Sequence, residues 1–187
     1  MDTHTLQRWL SEPRTELIQA VAEGIRIQVE TLRARNIDFY GYALLPGEPY
    51  QIDSIVAVAN TEADIKAPRT DRLHRYYRFG VDEWAHWDYD GFVAANALLV
   101  EANEHFKSMH RRAEDNCVMD DYEVAHSDAL LDALVQGLES ARAGGVFGGS
   151  EPFLLVWISD SGHEIMMKSA RRLNSATVAQ EFIAEFG

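Results

Sequence analysis

The chain has 187 residues, 47% hydrophobic and 25% charged, with a formal net charge of −13 and a pI near 4.9. That length suits one domain spanning residues 1–187 with a full core, and the composition is that of a globular chain. So acidic a surface repels phosphate backbones, which excludes nucleic acid as an expected partner, and no apolar stretch is long enough to cross a bilayer.

In chain order, Ser11-Glu12-Pro13 predicts a helix start, with Ser11 as cap and Pro13 in the first turn. Leu17, Val21, Ile25 and Leu32 recur with helical period, and Asn36 is the expected stop. Residues 39–45 and 50–59 flank the turn-rich Pro46-Gly47-Glu48-Pro49 and predict a β-hairpin. Asp90 is placed to cap a helix whose stripe is Phe92, Ala95, Leu99, Ala102 and Phe106. Asp120 or Asp121 is placed to cap the next, with Ser127, Leu131, Leu134, Leu138 and Ala141 inward and Gly144-Gly145 as its stop. Residues 153–159 and 163–169, joined through Asp160-Ser161-Gly162, predict a second hairpin, whose first arm is apolar throughout like a central strand. A closing helix is expected over residues 175–186, with Val178, Phe182 and Phe186 inward. The implied fold is α+β: a mostly antiparallel four- or five-stranded sheet built from two hairpins, with long amphipathic helices packed on it.

The most unusual stretch is residues 76–89, where aromatic rings alternate with Arg78, Glu83, His86 and Asp88. Tyr77, Arg78, Glu83, Trp84, His86 and Trp87 are its candidate interaction surface, because Trp and Tyr give rigid contact area with a polar tip. The plainer reading is a plug at the end of the sheet, with Glu83 satisfying Arg78. This stretch, with Phe39-Tyr40-Gly41-Tyr42-Ala43 before it and the 92–99 helix after it, resembles the bacterial family DUF4303, a domain of unknown function. Arg78-Phe79 and Glu83-Trp84 hold the places of its arginine–aromatic element and its Glu-Trp pair. Phe79 and Val81 stand where Trp and Pro are expected. The resemblance brings no catalytic residues with it.

Other constellations carry less chemistry. Glu123 and His126 sit one helical turn apart, as in carboxylate-bridged dimetal helices, but no second Glu-x-x-His turn lies on a predicted helix, so no metal or other cofactor is expected. Residues 144–150 are glycine-rich but leave a helix and lack the Lys-Ser/Thr pair of a phosphate loop. Asp160, Ser161 and His163 share a tight turn and read as turn residues, not a triad. Lys107, His110, Arg111 and Arg112 are too few for a nucleic-acid footprint.

Met1-Asp2-Thr3-His4 has neither the basic start nor the apolar run of a signal peptide. Cys117, the only cysteine, cannot form an internal disulfide, so a cytoplasmic location is expected. The acidic neighbours Glu114 and Asp115 make that thiol a structural or incidental one. The functional expectation is a non-enzymatic protein-interaction module, of immunity (toxin-neutralising) type if its partner is a basic toxin. Self-association is the other partner reading. The rival is a metal- or small-ligand-binding enzyme using Glu83, His86, Glu123 and His126.

Overall fold

The structure, a computed structural model, describes residues 3–48, 51–110 and 118–187. Cys117, its acidic neighbours and Arg111 and Arg112 lie outside them. Helix α1 (Thr3–Ser11) precedes α2 (Thr15–Ala34), strands β1 (Phe39–Leu45) and β2 (Val56–Thr61), and the short α3 (His74–Phe79). Strand β3 (His86–Asp88), α4 (Val93–Met109), α5 (Asp121–Ala143), β4 (Phe153–Val156), α6 (Glu164–Leu173) and α7 (Ala176–Phe186) follow.

The four-stranded sheet has the order β3-β2-β1-β4. β1 pairs antiparallel with β2, and β2 with β3, whereas β4 lies parallel to β1 with Gly41 opposite Phe153. The sheet is therefore mixed, and the second predicted hairpin does not exist. Residues 163–169 belong to α6: Ile165, Met166, Ser169, Ala170 and Leu173 are its buried positions, a helical spacing. Its N-cap is His163, whose Nδ1 accepts from the Ile165 N–H.

β4 is an edge strand, yet all four of its residues are buried. Side chains from the α6 region take over its open edge. The Leu154 N–H donates to Asn174 Oδ1 at 2.8 Å, and Asn174 Nδ2 returns a bond to the Leu154 carbonyl at 2.8 Å. The Val156 N–H donates to Ser169 Oγ. A primary amide thus imitates the missing neighbour strand, which closes an edge otherwise open to aggregation.

The same device shortens the first hairpin's second arm. Ile52 and Ile55 are buried, but they precede β2. The Ile55 N–H donates to Asn96 Oδ1 and the Ile52 carbonyl accepts from Asn103 Nδ2, so α4 satisfies this backbone in place of a strand ladder.

Two capping expectations change as well. Ser11 ends α1, its hydroxyl donating to the Arg8 carbonyl, and α2 starts without a side-chain cap. Asp88, not Asp90, accepts the N–H groups of Asp90 and Gly91 ahead of α4. Asp120 does cap α5, in a reciprocal box with Glu123. Asn36 follows α2 at φ 56°, and Gly145 follows α5 at φ 74°.

The core lies on both faces of the sheet. Tyr42 donates its hydroxyl to Gln28 on α2, while Phe153 meets Phe79 and the α7 residue Phe182. α2 and α5 approach closely enough that a methyl on Gly137 would sit 2.4 Å from a Val21 methyl carbon.

Candidate functional site

The connector between β2 and α4 divides into a plug and a paired rim. Trp84 is 3% exposed and packs on Gly41, where any Cβ would fall 2.6 Å from its ring. Its indole N–H donates to the Arg78 carbonyl, which also accepts from the Tyr40 hydroxyl. Trp84 is therefore core, not accessible surface. Arg78 lies over the Tyr40 ring at 4.2 Å and pairs with Glu62 at 2.5 Å, while Glu83 pairs with Lys66. The predicted Arg78–Glu83 partnership is thus replaced by two others, because the turn after β2 carries Glu62 and Lys66 to the connector.

Electrostatics follow from those contacts. Burial pushes the Tyr40 phenol up to about 12. Desolvation would raise Glu62, but the hydrogen bond and charge of Arg78 outweigh it and hold the carboxyl below its usual range. Asp64 is held low by the Thr61 hydroxyl first and by His86, whose Nε2 is 2.9 Å away. Arg78 and Lys66 are thus each matched by a carboxylate of the same neighbourhood. Tyr77, on α3, is half-buried against Tyr76.

Glu123 and His126 go to a different neighbourhood. Glu123 spends an oxygen on the Asp120 N–H. His126 is 6% exposed, stacked on Phe106 at 4.4 Å with 6° between planes, and within 5.5 Å of the Trp9 ring. Asn103 fixes its tautomer: its Nδ2 donates to the Ile52 carbonyl, so its Oδ1 faces His126 Nε2, which must carry the proton. Desolvation, then the charge of Arg14, lowers the imidazole to about 4. Glu123 and His126 line one cavity of about 330 Å³, which neither Glu83 nor His86 lines. Among the described residues no group of three or more His, Cys, Asp or Glu can hold a metal ion.

The last of the six surface candidates, Trp87, lies in a crevice that the topology makes conspicuous. At the carboxyl ends of the parallel strands β1 and β4, a cavity of about 460 Å³ is lined by Leu45, Glu48, Val56, Trp87, Trp157 and Asp160, with serines 54, 159 and 161 and Gly47. Crevices beyond the carboxyl ends of strands are where open α/β sheets seat ligands, and the volume suits a small ligand or an inserted side chain. Trp87 is fixed by its N–H bond to the Trp84 carbonyl and by a 6.0 Å stack on exposed Tyr89. Trp157 extends the ladder past β4, its N–H donating to the Leu44 carbonyl, and its indole N–H is buried without a partner. Asp160 sits at φ 52°, a conformation Asp tolerates and that turns the chain around the rim.

Sequence reasoning saw Trp87 but missed Glu48, Trp157 and Asp160 as its neighbours. Reading residues 153–169 as a hairpin assigned Trp157 to a strand and Asp160 to a turn, and Glu48 was read only as part of the first hairpin's turn. The family described as Domain of unknown function (DUF4303) matches residues 21–175, a stretch that includes every residue lining the crevice. No curated protein and no solved structure matches the chain.

Proposed function

Because the chain belongs to the DUF4303 family, whose description assigns no activity, we propose a role from the site itself: a non-enzymatic protein-interaction module whose crevice takes a basic segment of a partner protein. The observation that carries this reading is the lining. Leu45, Val56 and two indoles offer apolar contact to the stem of a Lys or Arg, and Glu48 and Asp160 are the formally charged groups among the lining residues. The net charge of −13 supports the same reading, since a basic partner is drawn in by the long-range field. An immunity-type role, with a basic toxin as that partner, is the biological form we favour. Self-association fits less well, because two copies carrying such charge repel each other.

An enzyme built on Glu83, His86, Glu123 and His126 has less support. Glu83 and His86 are engaged with Lys66 and Asp64, and the other pair belongs to a separate cavity. No helix among the described residues is long and apolar enough to cross a membrane.

Titration with a hexalysine probe, followed by indole fluorescence, tests the proposal. Saturable binding should weaken severalfold as salt rises through roughly 0.05 to 0.2 M. It should fall roughly tenfold in Trp87→Ala and in a Glu48→Gln/Asp160→Asn double variant, a loss of about 1.4 kcal/mol. No saturable binding, or binding indifferent to both variants, contradicts the reading.

A further inference from the structure

The turn between α1 and α2 holds a guanidinium, Arg14, that no carboxylate among the described residues touches, Glu12 acting on it only through space. Arg14 is partly buried, its Nη1–H donates to the Trp9 carbonyl at 3.2 Å, and its Cζ lies 4.0 Å from the Trp9 ring centroid. Its Nε and Nη2 are buried with no acceptor, and no carboxylate among the described residues pairs with it. These two N–H groups form the side-on edge of the guanidinium, the fork that matches the two oxygens of a carboxylate. Glu12 acts on this partly buried cation only through space, and leaving two of its N–H groups unsatisfied is costly, which points to an oxyanion that completes them.

The adjoining cavity, about 480 Å³, says what else that ligand carries. Trp9, Leu17, Leu98 and Ala102 give it apolar walls, while Glu16 and Glu101 add two carboxylates. Both glutamates are exposed, and neither has an ion-pair partner among the described residues. A simple anion satisfies Arg14 but is repelled by Glu16 and Glu101; a simple amine does the reverse. One molecule bearing both groups satisfies all three.

We propose that this pocket binds a free amino acid with an apolar side chain. Its carboxylate takes the side-on edge of Arg14, its ammonium lies between Glu16 and Glu101, and its side chain rests on Trp9 and Leu98. That edge of Arg14 is closed to solvent, so a ligand reaching it from the cavity displaces neighbouring side chains, and Trp9, which lines the cavity and stacks on the guanidinium, reports the event. The site is separate from the basic-segment crevice and stands or falls independently of it.

The test uses the full chain and three probes: L-phenylalanine, 3-phenylpropanoate and phenethylamine. L-phenylalanine should raise Tm saturably and move the Trp9 indole resonance, assigned by its loss in Trp9→Phe. It should bind roughly tenfold more tightly than either singly charged analogue. Arg14→Gln should reduce L-phenylalanine to the affinity of phenethylamine, and Glu101→Gln, at an exposed position that leaves the fold intact, should weaken it severalfold. The proposal is overturned by equal affinities for the three probes, by no saturable response up to on the order of 10 mM, or by a Glu101→Gln variant that binds L-phenylalanine as the parent does.

Discussion

At the scale of single residues, the costliest features are polar groups held in apolar surroundings. His126 is the clearest. Its folded-state pKa of about 4 lies below the ordinary 6.5, because desolvation and then the Arg14 charge disfavour the imidazolium. Between those two values the unfolded chain binds a proton that the folded chain refuses, so stability is full above pH 6.5 and falls as pH drops toward 4. Allowing for partial solvent screening, the loss is on the order of 2 kcal/mol. Urea unfolding of His126→Phe should show a flatter dependence across that window, at the expense of about 1 kcal/mol near pH 7 from the unpaired Asn103 oxygen. An unchanged pH profile in the variant would remove His126 from this account. Trp84 is the second case: it fills the space over Gly41, and Trp84→Ala should lower stability by about 3–5 kcal/mol in the same assay.

At the scale of elements, close approach and edge protection decide the fold. Gly137→Ala should improve intrinsic helix propensity by about 1 kcal/mol yet destabilise the protein by roughly 1–3 kcal/mol, since the new methyl meets Val21 across the α2–α5 contact. Ser140→Ala, on the exposed side of α5, is the control and should be near neutral or slightly stabilising. Asn174→Ala leaves the Leu154 N–H and carbonyl without their partners, for a loss of about 1–3 kcal/mol. It also reopens the β4 edge, so light scattering should detect concentration-dependent association that the parent lacks.

At the scale of the whole molecule, most of the helices and β1 were legible in the sequence because local signals specify them. The stripe Leu17, Val21, Ile25 and Leu32, the Asp120 box and the left-handed Asn36 and Gly145 each act within a few residues. β4's partner was not legible. Parallel pairing with β1 joins Gly41 to Phe153 across more than half the chain, and the amide that closes its free edge, Asn174, has no local signature. α6 was hidden because its N-cap is His163, outside the usual Ser, Thr, Asp and Asn set, and its apolar helical period emerges only past residue 169, with Ala170 and Leu173. Once residues 163–169 read as a strand, Trp157 and Asp160 could not be seen as the wall and rim of a crevice. The candidate site was therefore half visible: Trp87 stood out by composition, whereas its neighbours depended on a topology that no short-range pattern encodes.

Indole and amide chemical-shift mapping of the full chain during hexalysine titration tests the central claim most directly. The account predicts that the largest saturable shifts fall on the Trp87 and Trp157 indoles and on the amides of Glu48 and Asp160. Shifts centred on the internally paired rim of Arg78, Glu83 and His86, or spread evenly over the acidic surface, would contradict it.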